Sequence, residues 1–189
     1  MSAGGEDGSA VRFANVGPVT SPFPTDVFAD VITGNATYAS SFPGMGLTGR
    51  ALKGLALVTC MDSRIVPLAL LGMSQGDVKI LRNAGARVTD DVLRTLVLAT
   101  YLLGVDRVLV MPHTDCKMAS ASDSDIHATI LDDFGVDTRS VEFRTVDDQE
   151  AALAYDVHRI RAYHLLPRTL TVAGAIYDVR TGQLHPRPL

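Results

Sequence analysis

In LVTCMDSRIV, from Leu57 to Val66, a thiol, a carboxylate and a guanidinium (Cys60, Asp62 and Arg64) crowd the end of an apolar run. Further along, MPHTDCKM places His113 and Cys116 in an H-x-x-C spacing at the end of a second apolar run. Two thiolates and one imidazole are a donor set that suits Zn²⁺. Three protein ligands leave a fourth coordination position for water, which separates a catalytic zinc from a structural one. Asp62, two residues from a ligand thiolate, could take that fourth position itself. Arg64 is spaced to prevent this by gripping the carboxylate in a paired, charge-assisted hydrogen bond. Asp62 would then accept a hydrogen bond from water on the metal and orient it. The plainer alternatives are two cysteines buried as small apolar side chains, and a surface Asp62–Arg64 ion pair worth at most about 1 kcal/mol. Charged residues beside both cysteines speak against the first.

The elements around these residues must bring the two runs together. LALVTC is a short continuous apolar run, as expected of a strand covered on both faces. IVPLALLGMS predicts a short helix ending near Gly72, and VKILRNAGA a second strand running into a glycine-containing loop. Thr89 is placed to cap a helix over DDVLRTLVLATYLLGV, with Asp90 and Asp91 at its positive end and Gly104 at its C-terminus. RVLVMPH is the third strand. A polar helix is expected over Ser124 to Phe134, a short strand at SVEFRTV, a helix over DQEAALAYDVHRIRAYHLL stopped by Pro167, and a strand and hairpin in LTVAGAIYDVRTGQL. Strands alternating with helices give an α/β fold, a single domain with a mainly parallel central sheet flanked by helices. Residues 1–24, rich in Gly, Ser and Pro, are expected to form a flexible N-terminal arm, and residues 25–189 the α/β domain. Thr25 or Asp26 is expected to cap a helix through DVFADVITGNATYASSF.

Composition narrows the partners. The 189 residues are 47% apolar and 20% charged with a net charge of −4, and no Lys/Arg run offers a surface for nucleic acid. The N-terminus has no secretory signature. No window reaches the roughly 20 apolar residues of a membrane span. Two cysteines make no disulfide framework, so the expected location is the reducing cytoplasm.

CMDSR followed by HTDC resembles the β-class carbonic anhydrases, whose pattern is C-x-D-x-R and then H-x-x-C. ILRNAGA, between the two, matches the segment that this family carries after its second strand. The motifs span Lys53 to Met118, and the order of elements extends the likeness to about Gly182. It is greatest to the short, compact members. The resemblance implies one Zn²⁺ per chain on Cys60, His113 and Cys116, with Asp62 and Arg64 as the catalytic dyad. It implies that Arg82 to Gly85 line the approach to the metal. The implied activity is that of a zinc lyase, reversible hydration of CO₂ to bicarbonate and a proton by attack of zinc-bound hydroxide. A homodimer or higher homo-oligomer is also implied.

Two departures stand out. Lys117 and Met118 follow the last ligand where many members have glycine, and the chain has no tryptophan, so the Trp-containing bicarbonate pocket of some members is not expected. The rival functions are hydrolysis of CS₂ or COS on the same scaffold, and a silent zinc-binding regulatory protein in which Asp62 closes the site. Among the other histidines, His127 lies soonest after Cys116, and none is assigned the transfer of a proton to buffer.

Overall fold

The computed structural model describes residues 23–42 and 46–189. The arm expected over residues 1–24 lies, but for Phe23 and Pro24, outside them. The first described segment carries helix α1 (Ala29–Ser40), which buries no side chain within its own segment. Neither Thr25 nor Asp26 caps it. The N-cap is Phe28, with no side-chain hydrogen bond, and Thr25 Oγ1 is turned back to the Phe23 carbonyl.

From Gly46 to Leu189 the chain forms a separate compact unit, an α/β domain. Its strands are β1 (Leu55–Cys60), β2 (Val78–Asn83), β3 (Arg107–Met111), β4 (Thr171–Tyr177) and β5 (Leu184–Arg187). Its helices are α2 (Pro67–Leu70), α3 (Asp90–Leu102), α4 (Asp123–Phe134) and α5 (Gln149–Ala162). The strands lie in the order β2-β1-β3-β4-β5. The first four are parallel, and β5 returns antiparallel beside β4.

All six residues of β1 are buried, as a central strand between two covered faces requires. Against one face pack α3 and α5, through Leu96 on α3 and Leu153, Val157 and Ile160 on α5. Leu57, Ile65, Met111 and Tyr177 form a second cluster that includes both cysteines. The Thr89 hydroxyl caps α3 by accepting from Val92 N, and Gly104, at φ 75°, follows its C-cap. This matches the expected start and stop.

The segment SVEFRTV is not a strand. Three of its backbone donors go instead to one carboxylate, for Asp123 accepts from the N–H groups of Phe143, Arg144 and Thr145 and from the Thr145 hydroxyl. A strand needs a neighbouring ladder, and here an aspartate at the start of α4 takes that place. Helix α5 also ends at Ala162, before the expected stop at Pro167, as Tyr163 turns to extended backbone.

Candidate metal centre

The sheet turns outward from β1 on both sides, with β2 on one flank and β3 on the other. Ligand sites in parallel sheets gather beyond the carboxyl ends of strands at such a reversal. Cys60 is the last residue of β1, and His113 and Cys116 lie on the turn after β3. Parallel register pairs Thr59 with Met111, so the two chain ends leave the sheet side by side. The Thr59 hydroxyl, donating to the Met111 carbonyl at 2.9 Å, pins that register in the core.

The three expected ligand residues come together. Their ligand atoms all lie within 4.8 Å of one another, and the two sulfurs are 4.0 Å apart. A tetrahedral zinc with bonds of about 2.3 Å to sulfur places two sulfurs ~3.8 Å apart. His113 is fully buried. Its Nδ1 lies 2.8 Å from the Thr114 carbonyl, an outer partner that directs Nε2 inward. Nε2 is the one buried side-chain nitrogen or oxygen, among the described residues, without a hydrogen-bond partner. Leaving such an atom bare costs about 1–3 kcal/mol, and a cation between it and the sulfurs removes that cost. The residues fit zinc.

Protonation in this cluster is shared. The bond from Cys116 pushes the Cys60 thiol well down against its burial, helped by His113 and by the Gly85 N–H that points at its sulfur from 3.4 Å. Cys116 is pushed up by the same bond and by burial. Burial pushes His113 down, but the facing Cys60 sulfur and the Thr114 carbonyl prevail and its pKa rises. A divalent cation would displace the protons that these groups exchange.

Asp62 and Arg64 lie beside the cluster as a closed pair. Arg64 Nε donates to Asp62 Oδ1 at 2.9 Å and Nη2 to Oδ2 at 2.7 Å, while the Arg64 backbone N–H also reaches Oδ1. This grip holds the Asp62 carboxyl well below the usual carboxylate range and raises Arg64 further. Asp62 Oδ2 is 3.7 Å from His113 Nε2, close to the ligand set yet beyond hydrogen-bond range.

The resemblance implies that Arg82 to Gly85 line the approach to the metal. The structure gives Arg82 a holding task, since it donates to the carbonyls of Cys60, Asp62 and Ile65 and so braces the whole CMDSR turn. Asn83 closes its own loop through paired bonds with the Arg87 backbone. Gly85, the last of that stretch, presents its N–H to Cys60. Two further residues carry no role in the sequence reading: Gln149, at the start of α5, donates to the His113 carbonyl at 2.9 Å, and Asp115 pairs with Arg64. Only the last carried a signal, a carboxylate between two ligands. His127 is tied to Thr138 and stacks on Phe143. A recess of about 370 Å³ opens at Cys116, bordered by Lys117, Ser120, Asp147 and Gln149.

Residues 55–184 match the carbonic anhydrase family. The chain is 34% identical to β-carbonic anhydrase 1 of Mycobacterium tuberculosis over 157 residues, covering 82% of this chain and 94% of that protein. It is 29% identical to a carbon disulfide hydrolase of Acidithiobacillus thiooxidans, over 70% of this chain and 76% of that one. The crystal structure of carbonic anhydrase from Streptococcus mutans superposes with a TM-score of 0.80 at 34% identity, covering 88% of this chain and 99% of that one. A mostly parallel sheet with two cysteines and a histidine gathered where it reverses, together with these likenesses, makes the chain a member of the β-carbonic anhydrase family.

Proposed function

We propose that the protein is a zinc enzyme that hydrates CO₂ reversibly to bicarbonate and a proton, with Cys60, His113 and Cys116 as ligands and Asp62 and Arg64 as the catalytic dyad. The observation that carries this reading is the two-point grip of Arg64 on Asp62, at 2.9 and 2.7 Å. A carboxylate so engaged is not spent as a fourth ligand. Zinc in this site would supply Lewis acidity that draws water toward ionisation near neutral pH.

The chain's own residues do the rest. Asp62 Oδ2, on the ligand side of the pair, accepts a hydrogen bond from the attacking water and aims its lone pair at the substrate carbon. Arg64 keeps Asp62 ionised and so able only to accept. Arg82 fixes the turn that carries both. Gly85 N–H draws charge from the Cys60 thiolate.

The test joins metal analysis to stopped-flow CO₂ hydration. One zinc per chain is expected, lost when Cys60, His113 or Cys116 becomes Ala. Asp62→Ala and Arg64→Ala should keep zinc and lose hydration about 100-fold, the scale of a positioned acceptor. Full activity in either sinks the dyad.

Hydrolysis of CS₂ or COS is a second reading, favoured by the likeness to the carbon disulfide hydrolase. Those substrates share the linear shape of CO₂, so assays with all three gases decide between them. A silent zinc protein closed by Asp62 is disfavoured by the Arg64 grip. Among the described residues no helix is long and apolar enough to cross a membrane. We place the enzyme in the cytoplasm, where Cys60 and Cys116 stay reduced, and as a homodimer or higher homo-oligomer.

A further inference from the structure

Arginine has five N–H groups in a rigid fork, and Arg64 commits four of them. Nε and one Nη2 proton go to Asp62. The other Nη2 proton goes to the Asp115 carbonyl at 2.9 Å, and Nη1 donates to Asp115 Oδ2, also at 2.9 Å. Different protons serve the two aspartates, so the second pairing takes nothing from the first. Asp115 stands on the turn between His113 and Cys116, at φ 56°, a left-handed conformation that Asp and Asn accept more readily than most residues.

From this geometry we propose that Asp115 is a positioning residue, holding Arg64 in the pose that keeps Asp62 off the metal. The proposal rests on the reading of Cys60, His113 and Cys116 as a metal centre. A lone surface arginine loses much of its pairing energy to the ordering of a long side chain. Here one ordering serves two partners, and the second is rooted in the ligand turn itself. Arg64 and Asp115 are about half exposed, at 44% and 57% of their side-chain surface, so the pair adds little to global stability. A latch needs little, because modest differential contacts move the balance between two states that lie close in free energy. The bond to the Asp115 carbonyl fixes the direction of the fork, and the carboxylate adds charge.

The experiment compares zinc-loaded wild type with Asp115→Gly and Asp115→Asn at one pH near neutral. Gly removes the carboxylate without strain at a positive φ, and Asn keeps an oxygen that can accept from Nη1. The first readout is the crystallographic position of Asp62, on zinc or on Arg64. The ratio of zinc-bound to Arg64-bound Asp62 should rise about fivefold in Asp115→Gly, the scale of one exposed ion pair. It should rise less in Asp115→Asn, which keeps the acceptor for Nη1 but loses the charge, with zinc content unchanged throughout. The second readout is hydration, where kcat should fall as the zinc-bound share of Asp62 rises. Asp62 remaining on Arg64 in Asp115→Gly, or already on zinc in the wild type, overturns the proposal. A wild type that binds no zinc overturns it together with the metal centre. The first readout needs no substrate, so a shift of Asp62 in a protein inert toward CO₂ upholds the latch while the hydration reading falls.

Discussion

Gly85 shows how narrow the tolerances are around the Cys60 sulfur. At φ 77° it occupies backbone that L side chains rarely adopt, and a Cβ there would lie 3.2 Å from Met118 Cβ and 3.3 Å from Met118 Cγ. In this conformation its N–H points at Cys60 Sγ from 3.4 Å. Gly85→Ala should therefore destabilise the fold by about 1–2 kcal/mol, combining the left-handed penalty with the contact. Urea unfolding of the zinc-loaded protein measures it, and an unchanged midpoint would show that the loop adapts freely. That Cys60, His113 and Cys116 gather in one cluster was legible from residue type and spacing, since few chemistries place thiol, carboxylate, guanidinium and H-x-x-C on strand ends. The bracing by Arg82 was not legible. It depends on which carbonyls face a side chain one strand away, and that follows from the pairing of Thr59 with Arg82 and Cys60 with Asn83, which a linear sequence does not display. Asp115 was hidden for the same reason: Arg64 lies 51 residues away in the chain.

Most strands and helices could be read from local signals: the continuous apolar run of β1, the Thr89 cap, the glycine after α3. The misreadings came where a tertiary contact replaced a local one. SVEFRTV has the composition of a strand, yet three of its N–H groups satisfy themselves on Asp123. The Thr145 hydroxyl, ahead of those backbone donors, pulls the Asp123 carboxyl down to about 2 from an ordinary 3.8. A depressed carboxylate contributes stability in full above its unfolded value and loses it as pH falls through the folded one. The stability gap between wild type and Asp123→Asn should thus be constant above about pH 5 and shrink between pH 4 and pH 2. A gap that stays flat over that window would remove Asp123 as the clasp of this segment.

A second contact between elements joins the loop after β2 to α5. Arg87 Nε donates to Asp156 Oδ2 at 2.7 Å, with Asp156 almost wholly buried and Arg87 also reaching the Arg144 carbonyl. Removing one partner of a buried pair strands the other charge, so Asp156→Ala should cost about 3 kcal/mol in urea unfolding. Replacing both, as Arg87→Met with Asp156→Leu, should cost far less, because no charge is then left without a partner. Equal losses in the single and double variants would show that packing, and not charge, holds α5 to this loop.

For the whole molecule, the question is what covers the open side of the sheet. Among the described residues β2 pairs only with β1, and no strand among them lies beside the backbone N–H and C=O groups of its outer edge. Ile80 on that strand is exposed, as are Met61 and Val66 on the chain leaving β1, and Met61 N is bonded to the last carbonyl of β2. Proteins do not leave a bare edge next to apolar side chains without a reason, because it templates pairing with another chain. A twofold axis beside β2 would bring the same edge and the same three side chains of two copies together, the self-complementary contact that homodimers use. Light scattering at micromolar concentration should give about 40 kDa, twice the 20.2 kDa chain. Ile80→Lys should shift the protein toward monomer by placing like charges face to face across the axis. The proposed ligands lie at the end of β1 and on the turn after β3, inboard of that edge, so the variant should still bind one zinc per chain. A wild type that is monomeric in the same measurement, or an Ile80→Lys variant as dimeric as the wild type, would move the interface away from β2.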